Sequence, residues 1–412
     1  MPRICLISPG HLATNPRLVK EANALVEAGY SVVVISACYL PWADQQDKTQ
    51  LDPRCRWLTP LPFGPHAPPV KRLQQVVAQK LYRALFRLGV RQQGVVESAW
   101  HPLVADLKTA ARKIQADLYI AHYPAALPAA ALAAHTHGGL YAFDAEDFHL
   151  GDFPEEPSYE FQRQLLRMIE GRFLPGCVFT TAASPGIADA YANAYGIPLP
   201  VLLRNVFPLS HAPEGPSPRG TAFPGPSLYW FSQTIGPDRG LECAVRAIAM
   251  AESKPHLYLR GFISASFRQR MESLAFSQGV ANRLHLLPPA PPEEMERLSA
   301  VYDLGLVAET GCTQNRGIAL TNKLFTYALA GLPAVVSDIP AHWEYAKIMG
   351  AAVQIFGVEN STELASAIDS LLLNPDALVQ ARMAAYVCGQ RELNWESEKN
   401  ILLGCVAGVL ES

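Results

Sequence analysis

The sequence contains no uninterrupted apolar run of about 18 or more residues, the length a helix needs to cross a bilayer. Its opening, MPRICLIS, lacks the long apolar core and small-residue cleavage site of a secretory leader and reads instead as a short buried strand. Low-complexity tracts and short-period repeats are also missing. Neither sign of charge dominates, because 34 Lys and Arg stand against 37 Asp and Glu, a formal net charge of -3. That balance exerts no global pull on nucleic acid, so any preference for anions has to be local. None of the eight cysteines forms a C-x-x-C pair, which removes the zinc knuckle and the dithiol redox motif. Scattered thiols inside apolar runs fit a reducing compartment, and the expected location is the cytoplasm.

What is present is a chain of 412 residues, too long for one ordinary core, whose patterning repeats in two halves. Each half alternates short β-branched runs with helical patterns, as parallel sheets covered by helices do. In the first, strands are expected at residues 4–8, 31–36, 117–121, 140–143, 177–181 and 201–203. Asn15 caps a helix that starts at Pro16 and stops at Gly29. Residues 207–227, FPLSHAPEGPSPRGTAFPGPS, read as a linker from their Pro, Gly and Ser content. The second half then places strands at 228–232, 257–259, 284–287, 304–307, 334–337 and 352–355. The expected fold is α/β, two Rossmann-like doubly wound domains facing across a cleft: residues 1–206, a linker 207–227, residues 228–393, and a terminal helix 394–412 that packs back toward the N-terminal domain. Ligands of such sheets bind beyond the carboxyl ends of the strands.

The stretch YDLGLVAETGCTQNRGIALTNKLFTYALAGLPAVVSD (302–338) carries the most chemistry. A strand ends near Val307, a polar loop follows, and a helix starts near Thr321 with Lys323 in its first turn. Free amides at a helix start, together with a lysine, make an anion site. Within it, NKLFTYALAGLPAVVSD resembles the N-K-L-F-E-Y-x-x-A-G-x-P-V-x-x-S motif of family-4-like retaining glycosyltransferases of the GT-B architecture. FSQTIGPDRGLECAVRAI (231–248) resembles their donor-phosphate loop, and LYLRGF (257–262) the strand and Gly turn that follow. PGHLATNPRLVKEANALVEAGYSVVVIS, AHYPAALPAA, YAFDAEDFH and SPGIADAYANAYG are similar to N-terminal segments of the same family, in the same order.

The resemblance implies transfer of a sugar from a nucleotide-diphosphate donor to an acceptor hydroxyl, retaining and without a metal or other cofactor. The acceptor would be a polysaccharide, a lipid-linked oligosaccharide or a small metabolite. By motif position, Arg239 and Lys323 face the donor diphosphate with the amides of Leu320, Thr321 and Asn322; Thr234 and Gly261 line the same loops; Thr326 stands where the family has a ribose-binding glutamate. Glu309, in the preceding loop, is a further donor contact or a solvated carboxylate. Gln233–Thr234 replaces the usual Gly–Arg, so Arg239 is the loop's only guanidinium. A nucleotide-sugar epimerase or hydrolase of the same fold, and an inactive nucleotide-sugar-binding homologue, stay open beside the transferase.

On the acceptor side, Gly10 and His11 follow the first strand, His122 follows the strand at 117–121, and Asp144, Glu146, Asp147 and His149 cluster after the strand at 140–143. One of them would orient the acceptor or take its proton. Asp144-Ala145-Glu146 has the look of a metal-binding D-x-D, but the two-halved pattern and the missing metal-ligand spacing argue against a metal. Asn15 and Arg17 are explained as cap and first turn. Residues 53–96 contain no acidic side chain, while Lys71, Arg72, Lys80, Arg83, Arg87 and Arg91 punctuate a helical pattern striped by Val70, Leu73, Val77, Leu81, Leu85 and Leu88. That segment, 70–92, is either a helix packed on its domain with a solvated basic face or a peripheral contact with the inner face of an anionic membrane.

Overall fold

The computed structural model of the chain describes residues 1–216 and 223–411. It divides into two compact units: Met1–Ala183 with Ile187–Leu203 and the stretch from Lys399 onward, and Ser184–Gly186 with Arg204–Glu398.

In the first unit the strands are β1 (Arg3–Ile7), β2 (Ser31–Ile35), β3 (Ala37–Cys38), β4 (Arg56–Trp57), β5 (Leu61–Pro62), β6 (Leu118–His122), β7 (Leu140–Ala145), β8 (Thr180–Ala182) and β9 (Val201–Leu202). They form a seven-stranded sheet in the order β4-β2-β1-β6-β7-β8-β9, with β3 and β5 pairing separately. All pairs are parallel, and the registers Ile4↔Val32 and Ile4↔Leu118 place β1 between β2 and β6. ICLI, VVVI and LYIA are buried on both faces, as a helix-covered parallel sheet requires. The chain order reverses between β1 and β6, the place beyond whose carboxyl ends open parallel sheets bind their ligands.

In the second unit β10 (Ser227–Ile235), β11 (His256–Ile263), β12 (Leu284–Leu287), β13 (Leu304–Val307), β14 (Ala334–Ser337) and β15 (Val353–Phe356) form a parallel sheet in the order β12-β11-β10-β13-β14-β15. Trp230, Leu259, Leu306 and Val335 from the strands pack with Ile248, Met271 and Ile368 from covering helices. The reversal of order falls here between β10 and β13.

Several bounds differ from those read in the sequence. The strand expected at 177–181 is only Thr180–Ala182, and it follows a 3-10 turn at Leu174–Gly176. β10 runs on to Ile235 through an irregularity between Phe231 and Thr234. Of the linker, Leu209–His211 forms one 3-10 turn and 217–222 lie outside the described residues. The last helix is Trp395–Leu410; in the first unit its Lys399 approaches Glu27 to 3.5 Å. Among the described residues no helix is long and apolar enough to cross a membrane.

The basic segment is a helix, Pro69–Arg87, but it does not bury its apolar stripe. Val70, Leu73, Val77 and Leu81 are exposed, and the buried positions are Gln75 and Phe86. A helix packed through its apolar face with only a basic face in solvent is therefore not what forms.

Candidate functional site

In the second unit, two loops and a helix start deliver charged groups near the carboxyl ends of β10 and β13. Arg239 lies in the loop after β10, Glu309 two residues after β13, and Lys323 in the first turn of the helix Asn322–Ala330. Lys323 Nζ donates to Glu309 Oε1 at 2.9 Å, and Arg239 Nη1 donates to Oε2 at 3.4 Å. Glu309 is thus a buried holder of two cations and not a solvated loop carboxylate. Burial pushes its carboxyl up, and Lys323 and Arg239 outweigh that and hold it below its ordinary value. Lys323 is itself 5% exposed, with its ammonium 5.3 Å from the centre of the Trp230 ring. Two cations on one carboxylate leave an excess of positive charge at a place reached by free helix amides.

Two glycines make the loop geometry. Gly240 has φ 64, and a Cβ there would lie 2.4 Å from the Ala308 carbonyl oxygen. Gly261, at φ 150, would place a Cβ 2.3 Å from the Ser232 oxygen. The backbones of the β10 and β13 loops, and of β10 and β11, therefore approach as only glycine permits.

Thr321 occupies the N-cap position of the Asn322–Ala330 helix, yet its side chain caps no amide, and its buried hydroxyl finds no partner among the described residues. Asn322 is exposed and its Oδ1 accepts from Asn205 Nδ2 at 3.3 Å; Leu320 is buried, and Thr234 is exposed on β10. Thr326 does not face open space. It is fully buried, and its hydroxyl donates at 2.9 Å to Glu296 Oε1, whose own carboxylate is fully buried. The expected ribose contact from Thr326 is corrected accordingly, since its hydroxyl is committed inside the unit. Glu296 Oε2 lies 3.5 Å from His211 Nδ1. Neither residue stood out in the sequence, because Glu296 follows two surface glutamates and His211 lies in the linker.

In the first unit, a second cluster sits at the β1/β6 reversal. Asp144, at the end of β7, accepts from Arg17 Nε at 2.5 Å and Nη2 at 2.6 Å, and from the Thr181 hydroxyl. Arg17 Nη1 donates to the Leu203 carbonyl at 2.7 Å. His122 Nε2 stands 3.2 Å from Glu21 Oε2 and its Nδ1 3.4 Å from Asp144 Oδ2. All five side chains are buried. Burial alone would raise the Asp144 carboxyl, but Arg17 and His122 hold it well below the usual carboxylate range. Burial lowers His122, and Glu21 and Asp144 more than offset it, lifting the imidazole to about 9. Arg17, in the first turn of the helix Pro16–Glu27, is the centre of this cluster. The available signal was Arg17 and Glu21 four residues apart among apolar neighbours on a helix.

Glu21, His122 and Asp144 offer ligand atoms within 4.8 Å of one another. The guanidinium of Arg17 and the Thr181 hydroxyl take both oxygens of Asp144, so the donor set is one for a charged hydrogen-bond network and fits a metal poorly.

The remaining residues divide. Glu146 is half-buried; burial, then Asp147, raises its carboxyl to about 7. Nearby Lys20 is lowered to about 7 by burial and by Arg17. Burial lowers His149, whose Nδ1 lies 3.2 Å from the Tyr191 hydroxyl, itself 3.2 Å from the Asp147 carbonyl oxygen. His11 is fully buried: Nδ1 bonds Asp47 at 2.7 Å, and Nε2 accepts from the amides of Tyr39 and Leu40 at 2.7 and 2.8 Å. Two donors on Nε2 fix the proton on Nδ1. Both nitrogens are then used, and His11 is a clamp on its loop, with none left for an acceptor. Gly10 meets only ordinary contacts with its own protein neighbours at its missing Cβ.

No family model matches the chain, and no curated protein matches it in sequence. Solved structures match in fold: two parallel-sheet α/β units of the GT-B glycosyltransferase architecture. Sucrose-phosphate synthase from Thermosynechococcus elongatus is 16% identical, with all of both chains covered and a TM-score of 0.74. HepE from Anabaena, in complex with UDP-glucose, is 15% identical over 99% of this chain and 100% of its own, at 0.70. A glycosyltransferase from Rickettsia africae is 12% identical over 100% and 99%, at 0.72.

Proposed function

We propose that this protein is a glycosyltransferase that moves a sugar from a nucleotide-diphosphate donor to an acceptor hydroxyl, with retention and without a metal. The observation that carries the reading is the convergence of Arg239 and Lys323 on Glu309 at the strand-order reversal of the second unit. As the anomeric bond breaks, negative charge grows on the leaving diphosphate. A guanidinium fork, a compact ammonium and the amides around Thr321 are suited to stabilise it. Glu309 keeps the two cations oriented while no phosphate is bound. The complexes of HepE with UDP and UDP-glucose make uridine nucleotides the first donors to test here.

On the acceptor side the proposed proton acceptor is Glu146, whose carboxyl, raised to about 7, is able to exchange a proton near neutrality. Asp144 and His122 are assigned to positioning, because their charges are spent on Arg17 and Glu21. Family-4 membership, a polysaccharide or lipid-linked acceptor, and a cytoplasmic location are parts of the same proposal.

A thermal-shift panel of UDP, GDP, dTDP, ADP and their sugars, followed by quantification of released nucleotide and transferred sugar, tests it. A nucleotide shift that Arg239→Ala and Lys323→Ala abolish supports the donor site, and sugar transfer supports the reaction. Unchanged shifts in both variants reject the site. Binding without turnover of any donor favours an inactive nucleotide-sugar-binding homologue instead.

A further inference from the structure

The helix Pro69–Arg87 is amphipathic the wrong way round for a helix that ends its packing at its own domain. Val70, Leu73, Val77, Leu81 and Leu88 recur at helical spacing, and they are 69, 64, 55, 55 and 81% exposed. The face turned inward mixes Gln75 and Gln79 with the half-buried Ala78, Tyr82 and Leu85. Gln75 Nε2 donates to Asp106 at 3.3 Å and Gln79 Nε2 to the Trp100 carbonyl at 3.5 Å, beside the buried Phe86. A surface helix ordinarily does the reverse. The amides that anchor the inner face would be left unpaired if the helix rolled over to hide its stripe.

The flanks of the stripe have one sign of charge. Arg72, Lys80 and Arg87 are exposed, and residues 53–96 contain no Asp or Glu. Lys71 is paired with Asp106 at 3.1 Å, and Arg87 lies over the Phe161 ring at 4.7 Å. A second copy of the helix laid stripe to stripe would bring cations against cations with no acid to pair them. The charge instead complements an anionic partner that can also take in apolar side chains.

From this we infer that the outward face of Pro69–Arg87 is a docking surface for anionic lipid. Leu73, Val77 and Leu81 enter the boundary between headgroups and acyl chains, while Arg72, Lys80 and Arg87 reach up to lipid phosphates. The surface belongs to the first unit and stands independently of the proposed glycosyl transfer.

Flotation of the full chain with phosphatidylcholine vesicles, and with vesicles in which about one third of the lipid is phosphatidylglycerol, tests it. The expected result is binding to the anionic vesicles, roughly tenfold or more weaker on neutral ones, and weakened by salt. L73S/V77S/L81S should lose binding by roughly tenfold or more. R72E/K80E should lose roughly fivefold for each cation removed. Both variants change exposed positions, so their unfolding midpoints and nucleotide shifts should match the parent. Absence of binding to anionic vesicles, or equal binding by parent and variants, overturns the inference. So does a dimer in sedimentation velocity that L73S/V77S/L81S dissolves without vesicles, which would make a second copy the occupant.

Discussion

Arg17 and Asp144 are locked together by two hydrogen bonds of 2.6 and 2.5 Å in a place where both are buried, joining the first helix to the end of β7. Such a pair is weak evidence of net stabilisation, but breaking it is costly because one charge is left without its partner. Asp144→Asn should lower stability by about 3–5 kcal/mol, read as a fall in the urea midpoint. Arg17→Lys should also lose stability, since an ammonium has no fork to match the two carboxylate oxygens. A variant of either kind as stable as the parent would mean that the cluster is not a positioning device.

Arg239 and Lys323 should separate in one respect. Each substitution to Ala should weaken nucleotide-diphosphate binding by roughly tenfold or more, as expected for a lost charge-assisted contact. Only Lys323→Ala should also lower the unfolding midpoint clearly, because the buried Glu309 then loses its nearer cation. The Arg239 guanidinium is 30% exposed and sits at 3.4 Å, so its removal should leave the midpoint nearly unchanged. Titration calorimetry and thermal unfolding on the two variants check this.

The fully buried contact between Thr326 and Glu296 predicts a sign reversal. Thr326→Glu would set two carboxylates side by side without water, so one must take up a proton or the helices must part. It should cost about 3 kcal/mol or more, by analogy with an unpaired buried charge. Adding Glu296→Thr should restore most of that loss, leaving one carboxylate at the same spot from the other helix. A double-mutant cycle in urea measures the coupling. Additive losses would show that the two positions do not share the space.

Glu170 gives a pH test. It is fully buried beneath the hydroxyls of Tyr191 and Tyr195, and burial raises its carboxyl from 4.5 to about 7. The folded state therefore binds this proton more tightly than the unfolded chain does. The associated stability is complete below about 4.5 and is lost as pH rises through about 7. Glu170→Gln removes the titration, so the difference in stability between parent and variant should change by up to about 3 kcal/mol between pH 5 and pH 8. Denaturant midpoints across that range measure it, and the other titrating groups cancel in the comparison.

The legibility of these features in the sequence follows from how local each one is. Runs such as SVVVI and AVVS announce buried parallel strands, because both faces demand apolar side chains. Arg239 and Lys323 were readable through motif positions near a helix start. Their meeting on Glu309 was not, because contacts across 70 and 14 residues depend on which strands lie side by side. Arg17 and Asp144, 127 residues apart, show the same limit. His11 shows another: its position after β1 suggests a ligand group, while its role depends on the amides of a loop 28 residues away. For residues 70–88 the period identified the stripe, but a period cannot say what lies on either side of it.

The 2.4 Å between a hypothetical Gly240 Cβ and the Ala308 oxygen also bears on how this protein can be diversified. A library across the β10 loop should divide sharply: position 240 admits no side chain, whereas the exposed Gln233 and Thr234 admit many. Altered donor preference is then best sought at 233 and 234, upstream of a fixed pivot that keeps Arg239 aimed while its neighbours vary.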